Sequence, residues 1–396
     1  MPLGKFLVSP PTYGINAPAV PFDLRYPAYI RITDITDDGR FDPAGRASVR
    51  SLLADNYRLE QGDIVLARTG ASTGKSYMYN PKDGELVYAG FLIRIHPDIE
   101  KLSPRYVRFL LQTESYWDWI RTHSMRSGQP GINGQQYASL PIPIPSSKEE
   151  QEAIATALSD ADALIESLEA LIAKKRAIKQ GAMQDLLSGR KRLPGFSGEW
   201  QSKTLGSLGT FRGGNGFPIR FQGRNTGKYP YFKVSDMSLE GNEMCLTSAN
   251  NYIDEIGRQR LSSFVFPTNT IVFAKVGAAI FLERKRSIGQ PSCLDNNIAG
   301  YWISDPETDY RYVLHCLQNC RLGDLVNTTA LPSLNGHVLE SIKMTFPPTR
   351  DEQLSIAEAL SDIDDEVFAV TKKLRKARLI KQGMMQELLT GRVRLV

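Results

Sequence analysis

The chain of 396 residues contains one long stretch twice. Residues 151–162 read QEAIATALSDAD, and residues 353–364 read QLSIAEALSDID, 202 positions later. At the same offset, KQGAMQDLLSGRKRL at 179–193 returns as KQGMMQELLTGRVRL at 381–395. Shorter matches, such as Tyr29 with Tyr231, extend the repeat into the intervening segments. The chain is therefore expected to fold as two copies of one unit, each a globular segment followed by the repeated stretch.

Both copies of the repeated stretch are predicted to be long helices. Their apolar residues recur in alternating steps of four and three, which is the heptad pattern of a coiled coil. Ser147 and Thr349, each followed three residues later by Glu, predict capping boxes at the start, and Gly189 and Gly391 mark the ends. Each helix would be about 60 Å long. We expect antiparallel pairing, as a coiled coil, through Ile154, Leu158, Ile165, Leu168, Ile172, Ile356, Leu360, Val367, Val370 and Leu374.

The two globular segments are predicted to have an α+β fold, because short strand and helix patterns mix in them without regular alternation. Residues 86–95 (LVYAGFLIRI) predict one buried strand, and residues 103–122 predict one helix. The predicted boundaries are 1–145 and 196–347 for the globular domains and 146–195 and 348–396 for the helical segments with their linker.

The net charge of +5, from 48 basic and 43 acidic residues, is spread evenly and is compatible with a nucleic-acid partner without requiring one. The basic residues predicted to contact DNA are Arg68, Lys75, Arg94, Lys275 and Arg284. There is no run of eighteen apolar residues and no signal-peptide pattern, so we expect a cytoplasmic protein without a membrane partner. Other helix faces are expected to meet partner helices through Glu166, Leu171 and Phe368.

No enzyme signature is present in the sequence. The string GASTGKS at 70–76 resembles a phosphate-binding loop, but such a loop needs four residues between its glycines and this string has three. The sequence also lacks HExxH and the motif that adenine methyltransferases use to hold a flipped base. We therefore expect a non-catalytic chain with no metal or cofactor of its own. Its four cysteines are expected to be free, buried thiols: Cys245, Cys293, Cys316 and Cys320.

Two divergent globular segments, each followed by a long helix ending in the KQG-M-QxLL-[ST]-GR pattern, resemble the specificity subunit of type I restriction-modification systems. The resemblance implies that each globular segment is a target-recognition domain reading one half of an asymmetric, bipartite site in double-stranded DNA. It also implies that the helices set the spacing between the half-sites and dock two modification subunits, joined by restriction/translocase subunits. S-adenosylmethionine, ATP and Mg²⁺ are then expected on those partner subunits.

Two other functions stay open. A DNA methyltransferase in its own right would need a glycine-rich cofactor turn, and would bind S-adenosylmethionine as an isolated chain. A two-lobed protein-binding scaffold would show no salt-dependent affinity for DNA. The repeated loops at 126–130 and 331–333 either touch DNA or lock the domain onto its helix, and their presence in both copies favours the structural role.

Overall fold

The computed structural model describes residues 1–125, 130–145, 147–326 and 332–395. The chain divides into two compact units, Met1–Ser167 with Leu374–Val396, and Leu168–Lys373. Each unit therefore contains one globular domain and part of both long helices. Within the described ranges, no helix combines the length and the apolar character needed to cross a membrane.

The first unit contains two four-stranded sheets. Its strands are β1 (Thr12–Tyr13), β2 (Ala19–Pro21), β3 (Ala28–Ile30), β4 (Ala47–Val49), β5 (Ile64–Ala67), β6 (Ser76–Met78), β7 (Leu86–Tyr88) and β8 (Leu92–Ile95). Its helices are α1 (Pro104–Leu110), α2 (Glu114–Ser124), α3 (Gly134–Ser139) and the first part of α4 (Lys148–Leu186). The first sheet has the order β1-β8-β5-β6 and is antiparallel. The second has the order β2-β4-β3-β7, with a parallel pair between β3 and β7.

The second unit repeats this topology. Its strands are β9 (Gln201–Thr204), β10 (Gly209–Gly213), β11 (Tyr229–Phe232), β12 (Cys245–Leu246), β13 (Tyr252–Ile253), β14 (Ile271–Ala274), β15 (Lys285–Ile288), β16 (Cys293–Leu294), β17 (Ile298–Ile303) and β18 (Lys343–Phe346). Its helices are α5 (Leu205–Leu208), α6 (Glu255–Arg260), α7 (Tyr310–Asn319), α8 (Gly336–Glu340) and the first part of α9 (Arg350–Leu388). The order β10-β17-β14-β15 reproduces β1-β8-β5-β6, and β11 pairs with β16 in parallel as β3 does with β7. The α+β prediction and the internal repeat are confirmed.

The two long helices, α4 and α9, have 39 residues each and lie antiparallel within each unit. In the second unit, Lys175 Nζ lies 2.6 Å from Glu366 and Lys179 Nζ lies 2.6 Å from Asp364, so positions rise along α4 as they fall along α9. In the first unit, Lys381 Nζ lies 2.6 Å from Asp162. Lys381 and Asp162 correspond to Lys179 and Asp364 at the repeat offset. The same ion pair therefore forms in both units between the two antiparallel helices.

The predicted heptad seam is largely buried, but its N-terminal ends belong to the domain cores. Leu168 and Val367 are half-buried, and the other eight predicted residues are buried: Ile154, Leu158, Ile165, Ile172, Ile356, Leu360, Val370 and Leu374. Ile154 and Leu158 lie in one apolar cluster with Tyr106, a residue of the first globular domain. The N-terminal part of each long helix therefore packs into the core of a globular domain as well as against the other long helix.

The predicted capping boxes form only by half. Ser147 Oγ accepts a hydrogen bond from the N–H of Glu150 at 3.2 Å, as predicted. The Glu150 carboxylate, however, is buried against Arg394, whose Nη2 lies 2.6 Å from Oε2. The second repeat pairs Glu352 with Arg192 in the same way, at 2.6 Å. A guanidinium that donates two charge-assisted hydrogen bonds is a stronger partner than the single backbone N–H of the box.

A buried glutamine joins each globular domain to its long helix. Gln151 Oε1 accepts from the N–H of Ser103 at 2.9 Å, and Gln353 Oε1 accepts from the N–H of Asp309 at 3.0 Å. In each case the side-chain amide also donates to a carbonyl two residues earlier, at 3.2 and 3.1 Å. These side chains are only 1% and 3% exposed. We refer to this arrangement as the glutamine clamp.

Two predicted elements are each divided in the structure. Residues 86–95 form two strands in different sheets, because the chain turns at residues 89–91. The predicted helix at 103–122 breaks before Glu114, where Thr113 Oγ1 accepts from the N–H of Tyr116 at 3.3 Å and starts a new helix. Both predictions of a single element were wrong. In the first, a turn interrupts a run that is apolar on both sides. In the second, the polar residues 112–115 interrupt the helix, and Thr113 caps a new one.

Candidate nucleic-acid interface

The hairpin turns that join β5 to β6 and β14 to β15 carry four of the five basic residues predicted to contact DNA. The last paired residues are Leu66 with Ser76 in one hairpin and Phe273 with Lys285 in the other. By this register Lys75 and Arg284 are equivalent, each standing immediately before the second strand, while Arg68 and Lys275 each directly follow the first strand. We call residues 68–75 and 275–284 the basic hairpin turns.

Both basic hairpin turns are fixed by the same backbone contacts. The N–H of Gly70 donates to the carbonyl of Pro130 at 3.1 Å, and the N–H of Gly277 donates to that of Pro332 at 2.8 Å. These two prolines hold the hairpin turns, whereas the predicted structural role was to lock each domain onto its helix. The remainder of the two loops, residues 126–129 and 331, lies outside the described residues.

In the first unit, both basic side chains are held in place by neutral or acidic neighbours. Arg68 Nε donates to the carbonyl of Gly90 at 3.1 Å, and its guanidinium lies 5.0 Å from the ring centroid of Tyr13. Lys75 Nζ lies 2.7 Å from Asp37, and its hydrogen bond and charge lower the pKa of the Asp37 carboxyl. Because the Asp37 side chain is 94% exposed, water screens this pair, and a phosphate can replace the carboxylate without any buried charge being left alone.

Most of the string at 70–76 belongs to the connection between β5 and β6, where Gly70–Ser72 form a short 3-10 turn, and it does not form a phosphate-binding loop. The residues lead from β5 directly into the antiparallel strand β6, whereas a phosphate-binding loop opens into a helix N-terminus. Gly74 has φ +95°, and a Cβ there would lie 2.9 Å from the side chains of Trp117 and Ile120. The close packing of α2 against this position explains why residue 74 is glycine. The prediction that the string is a loop after a strand is confirmed.

In the second unit, the basic hairpin turn is longer and is held by a buried charge network. Arg284 Nη1 donates to Ser238 Oγ at 2.5 Å. Glu283 adopts a left-handed backbone conformation with φ +52°. Burial would raise the pKa of its carboxyl, but hydrogen bonds from Lys285 and from the N–H groups of Gly323 and Leu322 lower it overall. The turn therefore has a defined shape despite its length.

A second turn lies directly beside each basic hairpin turn and differs in chemistry between the units. The N–H of Arg68 donates to the carbonyl of Phe91 at 3.0 Å, and the N–H of Lys275 donates to that of Asn297 at 2.8 Å. Phe91 is 56% exposed, and Asn296 is exposed at the corresponding turn. Sequence reasoning missed both turns, since it placed Phe91 inside a continuous strand.

Arg94, the fifth predicted contact, lies on β8 and not on a hairpin turn. Its Nε donates to Thr12 Oγ1 at 3.3 Å, its Nη1 lies 3.6 Å from Asp63, and its guanidinium lies 5.5 Å from the ring centroid of Tyr88. These contacts join three strands of the first unit. They give Arg94 a structural role that needs no DNA.

Another exposed group of basic and aromatic residues borders the second sheet of the first unit and was not predicted. The Arg46 guanidinium lies 4.4 Å from the Phe22 ring centroid, and that of Arg50 lies 5.6 Å from Tyr26. The string FDLRY at 22–26 supplies both aromatic residues, but Arg46 and Arg50 lie much later in the chain, so no local pattern identifies the group. This surface is a further candidate for backbone contacts to DNA.

The cysteines are free, as predicted. Burial raises the pKa of the Cys293 and Cys316 thiols to about 12. Cys245 and Cys320 are half-buried rather than fully buried. Across the described ranges, no three His, Cys, Asp or Glu side chains come together as a set that could hold a metal ion.

Comparison with known proteins gives consistent results for the whole chain. The family described as "Type I restriction modification DNA specificity domain" matches residues 30–175 and 197–378. The type I restriction enzyme MjaVIII specificity subunit of Methanocaldococcus jannaschii is 21% identical over 364 residues, which cover 85% of this chain and 80% of that protein.

Two solved structures share the fold. The S subunit of a type I restriction-modification system from M. genitalium aligns with a TM-score of 0.65 and 17% identity, covering 98% of this chain and 95% of its own. A chain from a study of complex assembly and conformational transition of the type I R-M system aligns with a TM-score of 0.53 and 14% identity, covering 98% and 96%. Since the family matches both repeats, this chain belongs to the type I restriction-modification DNA specificity family.

Proposed function

We propose that the chain is the DNA sequence-specificity subunit of a type I restriction-modification complex, and that each globular domain reads one half of an asymmetric bipartite target. The observation that carries the proposal is the pair of basic hairpin turns. Each turn places two cations at the same two backbone positions, while the residues between and beside them differ. Phosphate contacts position a protein on DNA, and base contacts specify the sequence. Basic residues at equivalent positions can hold the DNA backbone in both domains, while the different residues between them can contact different bases. This arrangement suits two domains that recognise different half-sites.

The outer faces of the long helices are the proposed docking surfaces for two modification subunits. In the second unit, Leu171 and Phe368 are each 39% exposed, and in the first unit Leu379 and Ile380 are 62% and 51% exposed. Exposed apolar side chains on otherwise polar helices are typical of partner surfaces. Glu166, also predicted to face a partner, instead forms an ion pair with Arg40 at 3.1 Å.

The chemistry is proposed to reside on the partner subunits. The modification subunits would hold S-adenosylmethionine and methylate adenine, and the restriction subunits would use ATP and Mg²⁺ to translocate and cleave DNA. This chain would then be a non-catalytic reader that acts in the cytoplasm, where the DNA is. A methyltransferase in its own right would require tight binding of S-adenosylmethionine to the isolated chain, which calorimetry can measure directly.

The deciding experiment compares methyladenine across the host genome with and without this gene, by single-molecule sequencing. One split motif is expected to lose methylation in the deletion strain and to regain it on complementation. If no motif changes while the neighbouring modification subunit is produced, the specificity role is wrong. Affinity of the purified complex for DNA should also fall steeply with salt, because several phosphates are neutralised, whereas a protein-binding scaffold would show no such dependence.

The spacing role of the helices has its own test. Inserting four residues after Ala173 adds about one helical turn, or about 6 Å, to α4. The gap between the two methylated half-sites should change while both half-site sequences stay the same. A change in the half-site sequences would contradict the spacer role but not the reading role of the globular domains.

A further inference from the structure

The basic hairpin turn of the second unit ends in an apolar tip that the first unit lacks. Phe281 and Leu282 are adjacent, and each side chain is 56% exposed. The equivalent turn of the first unit has only small residues between its glycines, Ala71-Ser72-Thr73, and Thr73 is buried. An exposed Phe-Leu pair at a turn costs solubility, and neither side chain is needed to fill the core beneath it.

The tip is held rigidly, at a measurable structural cost. Glu283, immediately after Leu282, adopts a left-handed conformation with φ +52° and ψ +30°, which an L-residue rarely adopts. Its carboxylate accepts from the N–H of Gly323 at 2.8 Å and also binds Lys285, whose side chain is 1% exposed. Lys285 Nζ in turn donates to the carbonyl of Cys320 at 2.6 Å. The strained backbone of Glu283 and the buried charge of Lys285 both lie directly after the tip and fix its orientation. Such local strain is typical of functional turns.

The surroundings of Phe281 are shaped to it as well. A Cβ at Gly323 would lie 2.9 Å from Phe281 Cδ1, so the glycine leaves room for one edge of the ring. Ile280, directly before it, is 2% exposed and anchors the turn in the core. Phe281 and Leu282 therefore project from a fixed base rather than from a disordered loop.

Positive charge flanks the tip on both sides along the chain. Lys275 is the first residue of the turn, and Arg284 is the last. Within the described residues, no carboxylate lies within 4.0 Å of either cation. An apolar tip between two cations is complementary to a DNA groove, where phosphates line the edges and the thymine methyl group is the apolar feature of the major-groove floor. Because β14 and β15 are inner strands of a five-stranded sheet, the part of this hairpin that can enter a groove is the turn at 275–284 beyond the last paired residues.

We infer that Phe281 and Leu282 determine part of the specificity of the second domain by packing against the C5 methyl group of a thymine in its half-site. The inference rests on the proposed DNA-reading function and makes it specific. The two half-sites are then read by different chemistry at equivalent turns, with an apolar contact to thymine at the second basic hairpin turn and no apolar tip on the first.

The test uses the assembled complex and duplexes that carry its methylated motif, with single thymines replaced by 2′-deoxyuridine. The replacement keeps base pairing and removes only the methyl group. For the wild-type complex, affinity measured by fluorescence anisotropy should fall about fourfold at one position, the effect expected for one buried methyl group. This wild-type comparison needs no variant, so it does not depend on the folding of a mutant.

The variants Phe281→Ala and Leu282→Ala should bind the thymine duplex more weakly and respond to deoxyuridine less than the wild type at that position. Phe91→Ala, a matched control with the same exposure in the other domain, should leave the response at that position intact. The inference is overturned if no replacement affects the wild type, or if the tip variants retain the full response. Failure of the complex to bind any duplex would instead contradict the proposed function.

Discussion

Replacing Gln353 by Leu tests whether the glutamine clamp fixes the second globular domain to its long helix. The side chain is 3% exposed, accepts from the N–H of Asp309 at 3.0 Å and donates to the carbonyl of Glu307 at 3.1 Å. Leucine has a similar volume and helix propensity, so the helix itself should be unaffected. The change removes two hydrogen bonds and leaves both backbone partners without them.

The two lost hydrogen bonds differ in their expected cost. Asp309 is 5% exposed, so its N–H stays buried and unpaired, at a cost of about 1–3 kcal/mol. Glu307 is exposed, so its carbonyl can bind water, and the second bond contributes about 1 kcal/mol. The second unit should lose about 2–4 kcal/mol of stability. For a unit of this size, the Tm of that transition should fall by about 5–15 °C.

Differential scanning calorimetry of the purified chain would measure this effect. The control is Gln180→Leu, since Gln180 is an exposed glutamine on the part of α4 that lies in the same unit. Gln151→Leu should produce an equivalent loss in the first unit, because Gln151 makes the same two contacts there. If Gln353→Leu melts within about 1 °C of the Gln180→Leu control, the clamp contributes nothing to stability and the reasoning fails.

Three further predictions concern acid stability, salt dependence and packing. Burial, and then the charge of Lys179, lower the pKa of His315 to about 4, so the folded state resists protonation and stability is lost as pH falls from about 6.5 towards 4. The residue lies beside Lys179 and Asp364, and His315→Gln should remove about 2 kcal/mol of the stability difference between pH 7 and pH 5, as measured by urea unfolding at each pH. Lys275→Ala should reduce the slope of log affinity against log salt by about one without changing the methylated motif, and a changed motif would mean that Lys275 reads a base. Gly74→Ala should destabilise the first unit by about 2 kcal/mol or more in urea, because φ is +95° and the new methyl group would contact Trp117 at 2.9 Å; an unchanged midpoint would contradict this packing.

The glutamine clamp and the glutamate–arginine pairs show how much of the repeated sequence serves the junction between helix and domain. Gln151, Glu150 and Arg394 all recur at the offset of 202, yet the heptad pattern gave them no role, and Glu150 was predicted only as a capping-box residue. Their partners are distant in sequence, with Glu150 and Arg394 separated by 244 residues. Periodicity reports which face of a helix is apolar, but it does not report which buried polar group meets which backbone.

The sequence by itself determined the two-unit organisation, the long helices and most of their buried seam. These features follow from an internal repeat at a fixed offset and from a local period of three to four residues, and the sequence displays both directly. The fold class and the absence of a phosphate-binding loop followed from the same kind of local pattern.

Only the tertiary structure decided that the basic residues of the two hairpin turns are equivalent, and that Phe91, Phe281 and Leu282 stand beside them. The two turns differ in length, so the offset of 202 no longer aligns Arg68 with Lys275, and only the strand register restores the match. Phe91 lay hidden in an apolar run because the strands on either side of it are buried. Whether a side chain at a turn is exposed depends on which strands pair on either side of it. Strand pairing joins residues that are distant in sequence, so a local pattern does not reveal it.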